Sequence, residues 1–74
     1  MNITIKLFAS FRTGRFEIDT ADYPAGTTVA DIADSLKLPR TELGIMMVNN
    51  RHVKLEHVLL EGDRLALFPL LGGG

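Results

Sequence analysis

Only one segment of this chain has the apolar spacing of a helix, and strand-like segments lie on both sides of it. The spacing i, i+3, i+4 and i+7, which places side chains on one helix face, is met by Val29, Ile32, Ala33 and Leu36. Thr28 precedes them as an N-cap, and Asp31 completes a variant of the capping box. Leu38-Pro39 ends the helix, because the residue before proline avoids the α region. One helix packed across a mixed sheet predicts an α+β domain of two layers.

Two strands precede the helix. Residues 2–7 alternate polar and apolar side chains, which is typical of a strand with one buried face. Residues 8–14 then form a loop, and residues 15–19 resume the alternation with Phe16 and Ile18 predicted to point inward. The pattern predicts a hairpin with a long connection.

Three further strands follow the helix. Asn49-Asn50 is a turn between residues 45–48 and a return strand at residues 51–53, because Asn tolerates positive φ. Glu61-Gly62-Asp63 turns the chain into a last strand at residues 64–68, whose apolar character predicts a central position in the sheet. The connector before it is expected to be anchored by Val58, Leu59 and Leu60.

Size and composition limit the possible functions. A chain of 74 residues is one domain with an expected radius of gyration of roughly 11 Å. A net charge of -1 lacks the positive field that nucleic acids attract. Without cysteine, the core is held by packing alone. His52 and His57 do not have metal-ligand spacing. We therefore expect no metal site, no bound cofactor, no membrane span and a cytoplasmic protein.

The sequence closes on Gly72-Gly73-Gly74, directly after an apolar run. Glycine has no Cβ, so such a segment can enter a narrow channel and leave its terminal carbonyl unshielded. We interpret residues 1–68 as the domain and residues 69–74 as a flexible tail whose carboxylate is a reactant. The alternative is an inert end, since termini fray and glycine runs are common in linkers.

The element order and several short motifs resemble the MoaD/ThiS family of β-grasp, ubiquitin-like sulfur carriers. These motifs are Leu7-Phe8-Ala9, Phe11-Arg12, Val48-Asn49 ahead of Val53, Gly62-Asp63, and Phe68-Pro69 leading to Gly73-Gly74. The loop at residues 8–14 is closer to MoaD than to ThiS. Two positions depart from the MoaD pattern, which usually has proline in place of Leu70 and alanine, serine or threonine in place of Gly72.

This resemblance implies a carrier protein and co-substrate that is not itself an enzyme. A ubiquitin-activating-type enzyme would use ATP and Mg²⁺ to adenylate Gly74, and sulfur would then convert it to a thiocarboxylate. The acceptor would be the large subunit of molybdopterin synthase or another sulfur-acceptor enzyme. The residues expected to contact these partners are Phe68, Pro69, Leu70, Leu71, Gly72 and Gly73.

Large apolar residues near the tail predict a docking patch. Phe68, Leu70 and Leu71 would form it, with a place in the core as the alternative for Phe68. Met46 and Met47 must face opposite sides of a regular strand, so one extends the patch. Arg51, Lys54 and Arg64 are candidates for a basic rim or, alternatively, ordinary solvated charges.

Other functions remain open at this stage. The same chemistry could supply thiamine thiazole, tRNA thiolation or cysteine synthesis. A ubiquitin-like modifier would instead join Gly74 to lysines of target proteins, and a non-catalytic interaction module would leave Gly73 and Gly74 without a chemical role.

Overall fold

The structure, a computed structural model, describes residues 1–70. Its strands are β1 (Asn2–Leu7), β2 (Ile18–Asp22), β3 (Leu43–Val48), β4 (Arg51–His52) and β5 (Arg64–Pro69), and its α-helix is α1 (Val29–Ser35). Two 3₁₀ turns, Ala9–Arg12 and Arg40–Glu42, precede β2 and β3. The five-stranded sheet has the order β2-β1-β5-β3-β4. The predicted α+β architecture is confirmed, and β5 lies at the centre of the sheet.

The core lies between one sheet face and α1. Strands β1 and β5 pair in parallel, and the other strand pairs are antiparallel. The side chains that are at most 2% exposed between the two layers are Ile3, Ile5, Leu7, Val29, Ile32, Ala33, Leu38, Leu59, Leu65 and Leu67. The radius of gyration of 11.4 Å agrees with the value expected from chain length. No helix within residues 1–70 is long and apolar enough to cross a membrane.

The helix begins as predicted and ends earlier. Thr28 and Asp31 form a reciprocal capping box: each side chain accepts the other residue's backbone N–H, at 3.1 and 3.0 Å. The C-terminus is at Ser35, ahead of the predicted stop at Leu38-Pro39. Lys37 takes a left-handed φ of 59°, and the Leu38 N–H donates to Ala33 at 2.9 Å. This is the geometry of a Schellman cap, which directs Leu38 into the core.

The prediction that Ile18 points inward is wrong. Strand β2 starts at Ile18, and a bend at Glu17 interrupts the alternation that began at Arg15. Phe16 therefore packs against the core, while Ile18 pairs with Lys6 and is 55% exposed. Cross-strand partners share a sheet face, so Ile18 lies on the side away from α1.

The remaining connections also differ in detail. Of the three predicted anchors before β5, only Leu59 is buried. Val58 and Leu60 are 49% and 68% exposed, so the prediction is wrong for these two. The prediction for Asn49 and Asn50 is confirmed, with φ values of 51° and 68° that fit a tight hairpin turn. Strand β3 starts earlier than predicted, β4 is one residue shorter, and β5 continues through Pro69.

A buried carboxylate joins the β3–β4 turn to the start of β5. Asp63 is 8% exposed; its carboxylate accepts the side-chain amide of Asn49 at 2.9 Å and the Leu60 N–H at 2.8 Å. The Asn49 amide oxygen accepts the Arg64 N–H at 3.0 Å. Both residues belong to the motifs that suggested the family, and their role in this structure is to hold two turns together.

Candidate functional site

The sheet face opposite α1, called here the open face, has no covering layer within residues 1–70. Alternation along β5 places Leu65 and Leu67 in the core and turns Arg64, Ala66 and Phe68 to the open face. Their cross-strand partners on the same face are Thr4, Lys6, Ile45 and Met47. Because cross-strand partners lie side by side, this face is a continuous surface with β5 at its centre.

A small side chain produces a depression in the open face. Ala66 lies between Lys6 of β1 and Met47 of β3, and it is shorter than both. The resulting groove has a volume of about 290 Å³ and extends to Phe8, Phe68 and Arg64. Ile18 forms part of its far side, and the exposed Ile45 lies beside Phe68. An uncovered apolar surface of this kind is typical of a protein–protein contact site.

Two phenylalanines stack at one end of the groove. The rings of Phe8 and Phe68 are 3.9 Å apart between centroids and are inclined by 10°. Phe8 follows β1 directly and continues the open-face alternation of Thr4 and Lys6. The parallel pairing of β1 with β5 brings it beside Phe68. Phe68 is thus half-buried by an aromatic neighbour on the open face and lies outside the buried core cluster.

Three cations border this aromatic pair and the groove. The Lys6 Nζ lies 5.2 Å from the Phe8 ring centroid and the Arg12 Cζ lies 5.5 Å from it, distances typical of cation–π contacts. Arg12 is held in place because its Nε donates to the Leu7 carbonyl at 2.8 Å. Arg64 is the third cation and lines the groove itself.

The border of the groove is positively charged although the net charge of the chain is -1. Glu17 is the nearest acid to Arg12, with 4.0 Å between their charged atoms, and both side chains are well exposed, so water weakens this ion pair. An apolar groove with a cationic border is complementary to a partner surface that is apolar with an acidic edge.

The methionines and basic residues predicted to extend the docking patch do not all lie on the open face. Met46 packs against the core and Met47 lines the groove, as the alternation requires. Of the predicted basic rim, Arg64 lines the groove, whereas Arg51 lines a separate concavity beside the β3–β4 turn. Lys54 is exposed in the connector after β4.

Sequence reasoning did not assign Phe8, Lys6, Arg12, Ile18 or Ile45 to this surface. Two of them, Lys6 and Phe8, could have been found by extending the alternation of β1 by one residue, because Lys6 and Phe8 then share a face. The placement of Arg12 depends on the 3₁₀ turn, for which the sequence gives no comparable signal.

The chain leaves the sheet at the end of β5, next to the stacked rings. Pro69 is half-buried and pairs with Leu43. Leu70 is 61% exposed, and its N–H donates to the Glu42 carbonyl at 2.9 Å. The other predicted tail residues, Leu71, Gly72, Gly73 and the reactive Gly74, lie outside the described residues. Strand β5 therefore carries the groove and leads directly to the predicted reactive segment.

A single-helix β-grasp with an exposed sheet face beside its C-terminal exit defines the class of ubiquitin-like proteins. The model of the ThiS family matches residues 5–74. The chain belongs to the ThiS family, and the predicted relationship to MoaD/ThiS carriers is confirmed. A search of curated proteins found no significant match.

Solved structures agree with this assignment. A Pyrococcus furiosus protein assigned as subunit 1 of molybdopterin converting factor is 26% identical, with 93% of this chain and 97% of that chain covered and a TM-score of 0.73. The small archaeal modifier protein 1 of Haloferax volcanii is also 26% identical, with 92% and 95% covered and a TM-score of 0.73.

A third structure contains a partner. It is a complex of subunits 1 and 2 of molybdopterin-converting factor from Helicobacter pylori, in which the matched chain is 16% identical, with 100% of both chains covered and a TM-score of 0.67. At this identity the likeness shows the fold alone.

Proposed function

We propose that this protein is a cytoplasmic sulfur carrier for molybdopterin biosynthesis and forms the small subunit of a synthase. The observation that supports the proposal most directly is that β5 combines the groove of the open face with the exit toward Gly74. A partner bound to the open face would lie next to the segment that must enter its active site. Membership of the ThiS family and the likeness to the P. furiosus protein favour sulfur transfer.

The proposed chemistry takes place at the Gly74 carboxylate. One carboxylate oxygen attacks the α-phosphorus of Mg²⁺-bound ATP in an activating enzyme, and pyrophosphate leaves. Sulfide then attacks the acyl carbon, AMP leaves, and a thiocarboxylate remains; a persulfide donor would give an acyl disulfide that a thiol must cleave. The covalent intermediate divides a difficult substitution into easier steps. Delivery of the sulfur to a precursor and hydrolysis regenerate the carboxylate.

Intact-mass spectrometry tests this chemistry. After co-expression with a candidate activating enzyme and a sulfur source, the chain should show replacement of one oxygen by sulfur at Gly74. A chain extended by one alanine after Gly74 should stay unmodified while keeping its fold. Absence of the modification with every candidate activator would refute the proposal.

In this proposal both the activating enzyme and the synthase large subunit bind the open face. Two exposed side chains, one on this face and one away from it, allow a matched test of that contact. Ile45 is 42% exposed beside Phe68, and Leu60 is 68% exposed in the connector before β5. Ile45→Glu puts a charge on the apolar part of the open face and should weaken binding of the synthase large subunit at least about 10-fold, because an unpaired charge would be buried in the contact. Leu60→Glu should bind like wild type. Equal effects of the two variants would reject the open face as the contact.

A ubiquitin-like modifier is the second candidate function. The likeness to small archaeal modifier protein 1 over nearly the whole chain favours it. Its chemistry would join activated Gly74 to a lysine amine, so higher-mass conjugates on a blot would distinguish it from a carrier. Carriers for thiamine, tRNA thiolation or cysteine synthesis share the thiocarboxylate and would be distinguished by the acceptor enzyme that co-purifies.

A further inference from the structure

The chain is held by a hydrogen bond at the point where it leaves the sheet. Residues 69–70 are called here the exit segment. They run beside residues 42–44, which include the end of the second 3₁₀ turn and the start of β3. Pro69 has no N–H, so Leu70 is the first donor after Phe68, and its N–H bonds to the Glu42 carbonyl at 2.9 Å. This contact holds Leu70, the last described residue, against the backbone of Glu42.

Gly44 makes this close approach possible. A Cβ on Gly44 would lie 2.7 Å from the Pro69 oxygen, 2.9 Å from the Pro69 carbonyl carbon and 3.0 Å from the Leu70 nitrogen. Real Cβ atoms essentially never come as close as the first two separations, and the third is tighter than nearly all real Cβ contacts. The atoms that would be contacted belong to the backbone, so no rotamer change could relieve the clash.

The requirement for glycine at this position is one of space. Gly14, Gly26 and Gly62 have φ values of 71°, 91° and 82°, and a Cβ on each would meet nothing within 4 Å. Within residues 1–70, Gly44 is the glycine whose Cβ would collide with another strand. Glycine at a β-sheet position often marks such a close backbone approach.

An irregularity in strand pairing places Gly44 against the exit segment. Leu43 pairs with Pro69 and Ile45 pairs with Phe68, so the register shifts between Leu43 and Ile45. The extra residue of this bulge is Gly44, facing the peptide that joins Pro69 to Leu70. Any side chain there would push this peptide away and lengthen the Leu70–Glu42 hydrogen bond.

We propose that Gly44 is a positioning residue for the reactive tail. It does not touch the reacting atoms; it lets the exit segment stay hydrogen-bonded beside Glu42, so that the segment leading to Gly74 starts from a fixed point next to the open face. This inference rests on the proposed carrier function. Misplacement of a reacting group by about 1 Å can lower a rate about 100-fold.

Gly44→Ala tests the proposal, with Gly26→Ala as the matched control. Both add one methyl group; the control strains a left-handed φ but has open space around it. For Gly44→Ala we expect the Leu70 amide to lose its protection from hydrogen exchange in NMR spectra. Pyrophosphate release by the activating enzyme should show a kcat about 10- to 100-fold lower, with KM unchanged because the open face is intact. Gly26→Ala should keep both the Leu70 protection and the wild-type kcat.

Two results would overturn the positioning role alone: a Leu70 amide that stays protected in Gly44→Ala, or a lost hydrogen bond with unchanged kcat. If wild-type chain is activated by no enzyme, the carrier function fails, and the positioning role fails with it. In case Gly44→Ala does not fold, a chemically synthesised chain with an ester in place of the Leu70 amide removes the donor without adding bulk. Its kcat should fall about 2- to 10-fold, the bias that one hydrogen bond provides, and an unchanged kcat would also refute the role.

Discussion

Exchanging Asn49 and Asp63 tests how the two turns beside β5 are held together. The Asp63 carboxylate accepts two N–H groups, from the Asn49 side chain at 2.9 Å and from Leu60 at 2.8 Å. The Asn49 amide both donates to Asp63 and accepts from Arg64. The arrangement therefore needs one residue that only accepts and one that does both.

Each single exchange should be destabilising. In Asp63→Asn, whichever way the two amides are turned, one N–H faces another N–H; in Asn49→Asp, two carboxylates face each other. An unsatisfied or opposed group at a buried position costs about 1–3 kcal/mol. Since the Arg64 contact is exposed and water can replace it, we expect about 1–2 kcal/mol for Asp63→Asn. For a domain of this size, each kcal/mol lowers Tm by about 4–8 °C.

The double variant N49D/D63N should recover most of this loss. The amide now at position 63 accepts from the Leu60 N–H and donates to the carboxylate now at position 49, which accepts the Arg64 N–H. Position 49 has a left-handed φ of 51°, which Asp as well as Asn can adopt. Urea and thermal unfolding, followed by circular dichroism, should give a coupling free energy of at least about 1 kcal/mol in favour of the double variant. Losses that simply add would refute the proposed hydrogen-bond pattern.

Three further predictions concern other parts of the fold. Thr28→Ala should cost about 1 kcal/mol by removing the helix cap, whereas Thr28→Ser should retain it; thermal unfolding compares them. A double-mutant cycle of Phe8→Ala and Phe68→Ala, measured by urea unfolding, should give a coupling of about 0.5–1.5 kcal/mol from the stacked rings, and zero coupling would contradict the stack. The hydrogen bond from Arg40 lowers the pKa of the Asp34 carboxyl from its ordinary value of 3.8. The contribution of this exposed ion pair to folding stability is therefore present above pH 3.8 and disappears as the pH falls through the lowered pKa. Arg40→Met should therefore reduce stability slightly at neutral pH and not in strong acid, as Tm measured against pH would show.

Features fixed by neighbouring residues could be predicted from the sequence. The apolar alternation of β1, the capping box of α1 and the Asn49-Asn50 turn are local patterns, and the structure has each of them. The central position of β5 followed from its apolar run, and the family was identified from a resemblance in element order and short motifs. The error at Ile18 arose because a single bend at Glu17 reverses the face of every later residue, and no local pattern indicates that bend.

The sequence alone therefore determined the elements, the two-layer fold and the motifs that identify the family. Only the tertiary structure decided which distant residues meet: Phe8 with Phe68 through the parallel pairing of β1 and β5, and Gly44 with the exit segment through a shifted register. The reason is physical. Periodicity along one strand assigns side chains to a face, whereas the contacts across a sheet depend on the register between strands, which is set by the packing of the whole core.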